Sequence, residues 1–357
     1  MPGPYAGPET GFIAGGAAWK LAATDNPCGD PMTALSVLDL VMIGEGKTFA
    51  DAIEESRQLA RHVEQQHYSR YWIAEHHDMP GIGSAATSLV INEIANATRH
   101  IRVGAGGIML PNHAPLVVAE QFGTLDTLHP GRIDLGLGRA PGTSGPTVRA
   151  LRGAAPERDF SQDIAELRDY LADNGKRRVR GVPGAHDVPV WILGSSLFGA
   201  DLAAKLGLPY AFASHFAPRY LLQAIAHYRA NFQPSAQLAK PYVMVGMNLF
   251  AAASDAEADY LASSHRKWML DLHVGRFGLL PKPQEGYIER LPDHERAVLE
   301  QVMACTVAGG PERVREGLRS LIEQTGADEL MIDCRIHDPL ARQRSHAYAA
   351  QALAELG

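Results

Sequence analysis

A (β/α)8 TIM barrel with an insertion between its seventh and eighth strands is the α/β fold predicted by three features of this sequence. Eight short apolar runs recur from residue 34 onward, helix-length amphipathic segments separate them, and the runs are apolar on nearly consecutive positions. Continuous apolar character is expected of strands buried on both faces, as in a parallel sheet covered by helices. Eight such strands with interleaved helices over about 320 residues suit a closed barrel. An open doubly wound sheet is the competing arrangement.

The runs are "ALSVLDLV" (34–41), "RYWIAE" (70–75), "IRVGAGG" (101–107), "RIDLGLG" (132–138), "VPVWILG" (188–194), "PYAFAS" (209–214), "YVMVGMNLF" (242–250) and "ELMIDC" (329–334). The first helix candidate, 48–65, opens on Thr48 as a cap with Asp51 in its first turn, where a carboxylate meets the positive end of the helix dipole. Further helices are predicted over 84–99, 114–129, 160–173 and 198–207. The segments 87–97 and 115–128 are apolar on more than one face, which suits a tightly packed barrel wall or a homodimer interface.

The rhythm breaks once, over about 255–327, where further helices surround the loop 273–293. Long loops without secondary structure tend to be functional, so 265–293 is expected to act as a lid, with Trp268, Phe277 and Leu280 as apolar contacts to the pocket. Packing of an inserted subdomain is the alternative. Residues 1–31 carry six Gly and five Pro with no periodicity, so they read as a dispensable, disordered extension ahead of a single domain, 32–357.

A formal net charge of −7 argues against a nucleic-acid binder, because neutralising phosphates needs clustered Lys and Arg. Three widely spaced cysteines form no disulfide framework or CxxC motif and point to a reducing cytoplasm. The N-terminus has no basic start followed by an apolar stretch and so reads as a poor secretory signal, and no run of about 18 apolar residues exists to span a bilayer. A small or neutral partner fits best.

Barrel active sites lie at the carboxyl ends of the strands, so the residues after each run are the ones to inspect. They are Asp39; Glu75, His76, His77 and Asp78; Gly106 and Gly107; Gly138 and Arg139; Gly194, Ser195 and Ser196; Ser214 and His215. Adjacent strand positions face opposite sides, so one of His76 and His77 should face the pocket as a base or substrate-orienting group. With no HExxH or HxH spacing, no metal is expected. Glycines inside "VGAGG" suit either barrel curvature or the close approach of a flat ligand. Arg139 can hold a phosphate or pair with a carboxylate. "ILGSSLFGADLAAKLG" runs a strand straight into a helix, so unpaired amides, two hydroxyls and the helix dipole converge as a phosphate cradle, unless Ser196 is a plain cap.

Together, "YWIAEHH", "VGAGGIMLPNHAPLVVAEQFGTLDTLHPGRIDLGLGRAPG" and "PVWILGSSLFGADLAAKLGLPYAFASHFAP" resemble the bacterial luciferase-like flavin-dependent monooxygenases, in particular an uncharacterised oxidoreductase branch. The resemblance runs from about Met32 to the C-terminus and implies FMN at the strand ends. It further implies that His76 is the base near the flavin, that a non-proline cis peptide falls at Gly106 and Gly107 behind the ring, and that Arg139, Ser195 and Ser196 hold the phosphate. Luciferases have an acidic residue followed by serine where Ser195 and Ser196 stand, and the luciferase alpha subunit has a reactive cysteine at Gly138. Light emission from long-chain aldehydes is therefore not expected.

What the resemblance implies for activity is a cytoplasmic FMN-dependent monooxygenase. Reduced FMN, from a separate flavin reductase, would be used with O2 to oxygenate a small organic substrate. Two alternatives share the fold: a deazaflavin-dependent dehydrogenase and a non-catalytic flavin-binding protein. Family habit implies a homodimer.

Overall fold

A computed structural model describes residues 33–152, 159–172, 175, 178–184 and 186–356. The predicted extension, 1–31, lies outside the described residues. In chain order the first half comprises β1 (Ala34–Asp39), α1 (Phe49–Gln65), β2 (Arg70–Ile73), α2 (Thr87–Ala97), β3 (Arg102–Met109), α3 (Pro115–Leu128), β4 (Ile133–Gly138), α4 (Gly145–Arg152) and α5 (Phe160–Ala172). Next come β5 (Val190–Gly194), α6 (Leu197–Leu206), β6 (Tyr210–Phe212), α7 (Leu221–Asn231), β7 (Val243–Ala251) and α8 (Asp255–His273). The chain closes with α9 (Asp293–Val302), β8 (Thr306–Gly309), α10 (Pro311–Thr325), β9 (Glu329–Asp333) and α11 (Pro339–Ala354).

Strands β1 to β6 pair in sequence order, β6 pairs with β7, β7 with β9, and β9 returns to β1. All these pairings are parallel, and the ring is closed. The sheet is therefore the predicted barrel, and the eight apolar runs are its eight staves. Strands β4 and β7 are buried at every position, which is why their runs do not alternate.

Strand β8 is an addition that no apolar run announces. It joins the far end of β7, pairing Thr306–Gly309 with Asn248–Ala251 beyond most of the residues that β7 shares with β9. Only Gly309 of its four residues is fully buried, so β8 lacks the apolar run that betrays a barrel stave. With α8, α9 and α10 it makes up the insertion between the seventh and eighth staves.

Local signals account for several boundaries. Thr48 caps α1 in a reciprocal capping box, its hydroxyl accepting from Asp51 N–H while the Asp51 carboxylate accepts from Thr48 N–H. Helices α6 and α10 end on Gly207 and Gly326 with φ of 63° and 57°, conformations a side chain would disfavour.

At the amino ends of the strands the barrel is plugged by buried ions. Arg70 donates through Nε to Glu329 (3.1 Å) and through Nη1 to Asp134 (2.8 Å), and Arg102 donates through Nε to the other oxygen of Asp134 (2.9 Å). Trp72 Nε1 donates to Asp134, and the Tyr242 hydroxyl donates to Glu329. Burial opposes ionisation of Asp134, but the two guanidinium groups outweigh it and hold its carboxyl below the usual range.

Candidate active site

The carboxyl ends of the staves enclose a cavity of about 590 Å³. Leu38, Trp72, Leu193, Phe212, Met244 and Met331 give it apolar walls, and α8 covers it with Trp268, Met269, Leu272 and His273. A second groove, of about 990 Å³, lies beside α9, β8 and α10, has four Arg and three Glu in its lining, and holds none of the residues nominated at the strand ends. The first has the apolar walls and few polar groups of a small-molecule site.

His76, Gly106, Gly138, Arg139, Gly194, Ser195 and Ser196 all line this cavity, and so does His215. Gly107 does not. The Gly106–Gly107 peptide is cis, and the pairing of β3 with β4 slips register across it. A Cβ on Gly106 would meet Leu38 Cδ1 at 2.8 Å and Trp72 Cβ at 3.0 Å, whereas one on Gly107 would lie 2.6 Å from the Gly136 carbonyl. Gly107 thus packs against β4, and a side chain at either position would be driven into the wall.

The two histidines are separated by loop geometry, not by strand alternation, because β2 already ends at Ile73. His76 Nδ1–H donates to the Gly142 carbonyl (3.1 Å), an acceptor only, so in the neutral ring Nε2 carries the free lone pair. Burial, reinforced by the nearby Arg335 charge and opposed by the Gly142 bond, holds the His76 pKa below its ordinary value. At neutral pH the ring is an uncharged proton acceptor.

His77 turns the other way and donates to Glu75 (2.8 Å). The same buried carboxylate accepts from Met109 N–H (2.9 Å), Asn112 Nδ2 (3.2 Å) and His113 Nε2 (2.9 Å). Burial raises its pKa, yet the bonds from His113, Met109 and His77 together hold the Glu75 carboxyl below its usual range. Glu75 therefore ties the end of β2 to the segment after β3 and fixes the loop that carries His76. Glu75, His77 and His113 also make a group with the composition of a metal site, which the short-spacing motifs could not find because His113 lies 38 residues beyond Glu75. Its candidate ligand atoms are engaged with one another at hydrogen-bond distances.

Asp39, a candidate by its place at a strand end, faces away from the cavity. It accepts from Ser56 Oγ (2.6 Å), Arg342 Nη2 (2.9 Å), Val41 N–H and the Tyr71 hydroxyl. Asp78 accepts from Thr147, and Ser214 donates to the Gly246 carbonyl. These three are structural.

At the β4–β5 end of the cavity, no acidic side chain pairs with Arg139 among the described residues, and its guanidinium lies 4.0 Å over the Phe198 ring. Ser196 occupies the N-cap of α6 in extended conformation (φ −146°, ψ 168°) without a side-chain capping bond. Its hydroxyl is therefore not engaged as a cap, and the first amides of α6 lack an intrahelical acceptor. A cation, hydroxyls and a helix N-terminus in one place fit a phosphate group.

The opposite end holds residues that the sequence reading missed. Arg335, just past β9, and Met331 line the cavity, and Trp268 of α8 lies beneath the Arg335 guanidinium at 4.7 Å. Of the apolar contacts expected from the lid, only Trp268 reaches the cavity. Phe277 is 48% exposed, and Leu280 is buried against the segment after β1, with backbone bonds to Ile43 and Glu45. The loop after α8 is thus fastened to the barrel rim, where Gly81 admits Gly278 so closely that a Cβ would collide with its carbonyl oxygen.

The chain matches the luciferase-like monooxygenase family over residues 33–329 and belongs to it. It is 47% identical over 331 residues to an Escherichia coli (strain K12) protein named luciferase-like monooxygenase, covering 92% of this chain and 99% of that one. Among solved structures, apo-MsnO8 superposes with a TM-score of 0.81 at 34% identity, covering 91% and 99% of the two chains. Two more distant structures share the fold. One is the FMN complex of the oxygenating constituent of 3,6-diketocamphane monooxygenase from Pseudomonas putida (TM-score 0.65, 16% identity, 90% and 98% covered). The other is an F420-dependent secondary alcohol dehydrogenase (TM-score 0.60, 14% identity, 89% and 99% covered). The protein is an oxidoreductase, and no helix among the described residues is long and apolar enough to cross a membrane.

Proposed function

We propose that this enzyme binds reduced FMN across the cavity and uses O2 to oxygenate a small organic substrate. The observation that carries the reading is the pairing of a phosphate-sized polar end, Arg139 with Ser195 and Ser196 at the start of α6, with a neutral histidine on the same apolar cavity. Arg139, Ser195, Ser196 and the first amides of α6 would hold the phosphate, and the Gly106 wall would receive the flat ring. Bound reduced flavin supplies the electrons for oxygen activation, which no side chain here can offer.

The protein's own contributions are positioning, exclusion of water and proton transfer. His76 Nε2 accepts a proton from the reacting group, and the Gly142 bond at Nδ1 keeps the ring in that tautomer. Trp268, Met269 and Leu272 cover the cavity and limit entry of bulk water. A separate reductase would supply the flavin in its reduced form. Two copies pair through the outer faces of α2 and α3, where Leu89, Val117 and Leu128 are 71%, 45% and 59% exposed. The free thiols of Cys305 and Cys334 suit a reducing cytoplasm.

Replacing His76 with alanine tests the catalytic assignment. Flavin affinity should stay nearly intact while oxygenation of any substrate accepted by the wild type falls by roughly 10² to 10⁴, the usual worth of a positioned base. Unchanged turnover would remove His76 from the mechanism. A protein that binds reduced deazaflavin and ignores FMN would instead be a dehydrogenase of the same fold.

A further inference from the structure

Arg335 is 5% exposed and engages Asp333 edge-on, donating through Nε (2.9 Å) and through Nη2 to the two carboxylate oxygens. That leaves Nη1, the corner of the guanidinium pointing away from Asp333, and among the described residues this atom is buried without a hydrogen-bond partner. Trp268 lies against the guanidinium and Asp333 grips its edge, so the group is held in one orientation. A buried donor without an acceptor is costly, and native proteins rarely leave one unless a ligand or water completes it.

His215 stands at the same end of the cavity, 7% exposed. Among the described residues its Nδ1 has no partner, and it abuts the α-carbon of Gly246, where even a Cβ would come within 2.4 Å. An unpaired lone pair is cheaper to bury there than an unpaired N–H, so the neutral ring carries its proton on Nε2 and is a second donor. Burial, aided by Arg335 and opposed by Asp333, pushes the His215 pKa down to about 4. The neighbouring His265, 1% exposed with both ring nitrogens unpartnered among the described residues, is pushed down to about 3, again by burial first and Arg335 second. Both rings are uncharged at neutral pH.

Among the described residues that line the cavity at this end and the carboxylate they hold, the charge therefore sums to zero, one guanidinium against one carboxylate. The barrel's amino end offers an internal contrast: Arg70 there carries two carboxylates, but a second guanidinium, that of Arg102, balances the extra charge. No second cation faces Arg335 among the described residues that line the cavity at this end. A carboxylate arriving at Nη1 would add an uncompensated buried charge, whereas an uncharged oxygen would satisfy the donor and add none.

We propose that Arg335 Nη1, assisted by His215, is a recognition point for an uncharged acceptor oxygen of the substrate, such as an amide or other carbonyl, and that it selects against carboxylates. This rests on the reading of the cavity as flavin site plus substrate site. Arg335 and His215 form its substrate end, across from Arg139 and Ser196 at the phosphate end. Trp268, Met244 and Met331 supply the apolar surroundings of the bound group.

The test compares benzamide, benzoate and toluene as probes by ligand-observed NMR titration of the full-length protein, with and without FMN. FMN affinity is measured in parallel by fluorescence. Wild type should bind benzamide about tenfold more tightly than either benzoate or toluene, since benzamide alone gains the hydrogen bond without burying a charge. In Arg335→Lys the ammonium can still pair with Asp333 but lacks the rigid fork that reaches past it, so the benzamide preference should vanish while FMN affinity stays within about twofold. The paired replacement Arg335→Met with Asp333→Leu removes both charges together, leaves no buried ion stranded, and should also lose the preference.

Benzoate binding as tightly as benzamide in the wild type would overturn the proposal. So would a benzamide preference that survives both variants, or an Arg335→Lys protein that loses FMN and keeps benzamide, which would make Arg335 a cofactor contact. A wild type that prefers benzamide but does not bind FMN would sink the cofactor reading and leave this subsite standing.

Discussion

At the amino ends of the staves Arg70 is held by Glu329 and Asp134, and Asp134 in turn by Arg102, whereas at the carboxyl ends, among the described residues, Arg335 has Asp333 alone and an unpartnered Nη1. Both guanidinium groups are about equally buried, at 4% and 5% exposure. The first set fills the barrel's lower end with mutually satisfied charges. The second leaves donors facing a cavity, beside His215 and His265 with unpartnered ring nitrogens. What separates the closed ion cluster from the proposed binding site in this molecule is therefore the state of the last hydrogen bond, not the kind of residue.

The largest effect of any single replacement should come from breaking the closed cluster. Asp134→Ala takes a carboxylate partner from both Arg70 and Arg102 and leaves the cluster with excess positive charge, and loss of one partner from a buried ion network costs about 3 to 5 kcal/mol. Urea unfolding should register that loss while FMN affinity and the benzamide preference stay unchanged, whereas Arg335→Lys should lose the benzamide preference. Equal stability of Asp134→Ala and wild type would mean that the lower cluster does not hold the barrel.

Acid should expose a second difference. His215, His265 and His346 are held neutral when folded, with pKa values pushed by burial to about 4, 3 and 3. In the unfolded chain each binds a proton below about pH 6.5. Their contribution is thus fully present above that pH and is lost as pH falls toward the folded values. At pH 5 the loss is about 2 kcal/mol per histidine. Urea midpoints at pH 7 and pH 5 measure it, and His215→Gln should remove one histidine's share of the drop.

Much of this was legible in the sequence because burial leaves a signature there. Strands covered on both faces must be apolar throughout, so all eight staves appeared as runs, and the residues just beyond the carboxyl end of each run included His76, Arg139, Ser195, Ser196 and His215. The same rule applied to the eighth run, "ELMIDC", would have reached Arg335 in "DCRIHD". It was hidden because Asp333 and Arg335 look like an ordinary surface pair until the fold buries them. Glu75, His77 and His113 were unreadable for another reason: their meeting depends on the bend after β3. Phe277 and Leu280 misled because an apolar residue in a long loop can face solvent or the rim as easily as the pocket.

The smallest of these effects is also the most direct test of the cofactor assignment, because that assignment rests on the phosphate end of the cavity. Anaerobic titrations with reduced FMN, reduced riboflavin and a reduced deazaflavin, in wild type and Arg139→Met, would measure it. Reduced FMN should bind about tenfold more tightly than riboflavin, and Arg139→Met should close that gap, since the charge-assisted contact to phosphate is what separates the two ligands. Equal binding of FMN and riboflavin by the wild type, or a preference for the deazaflavin, would contradict it.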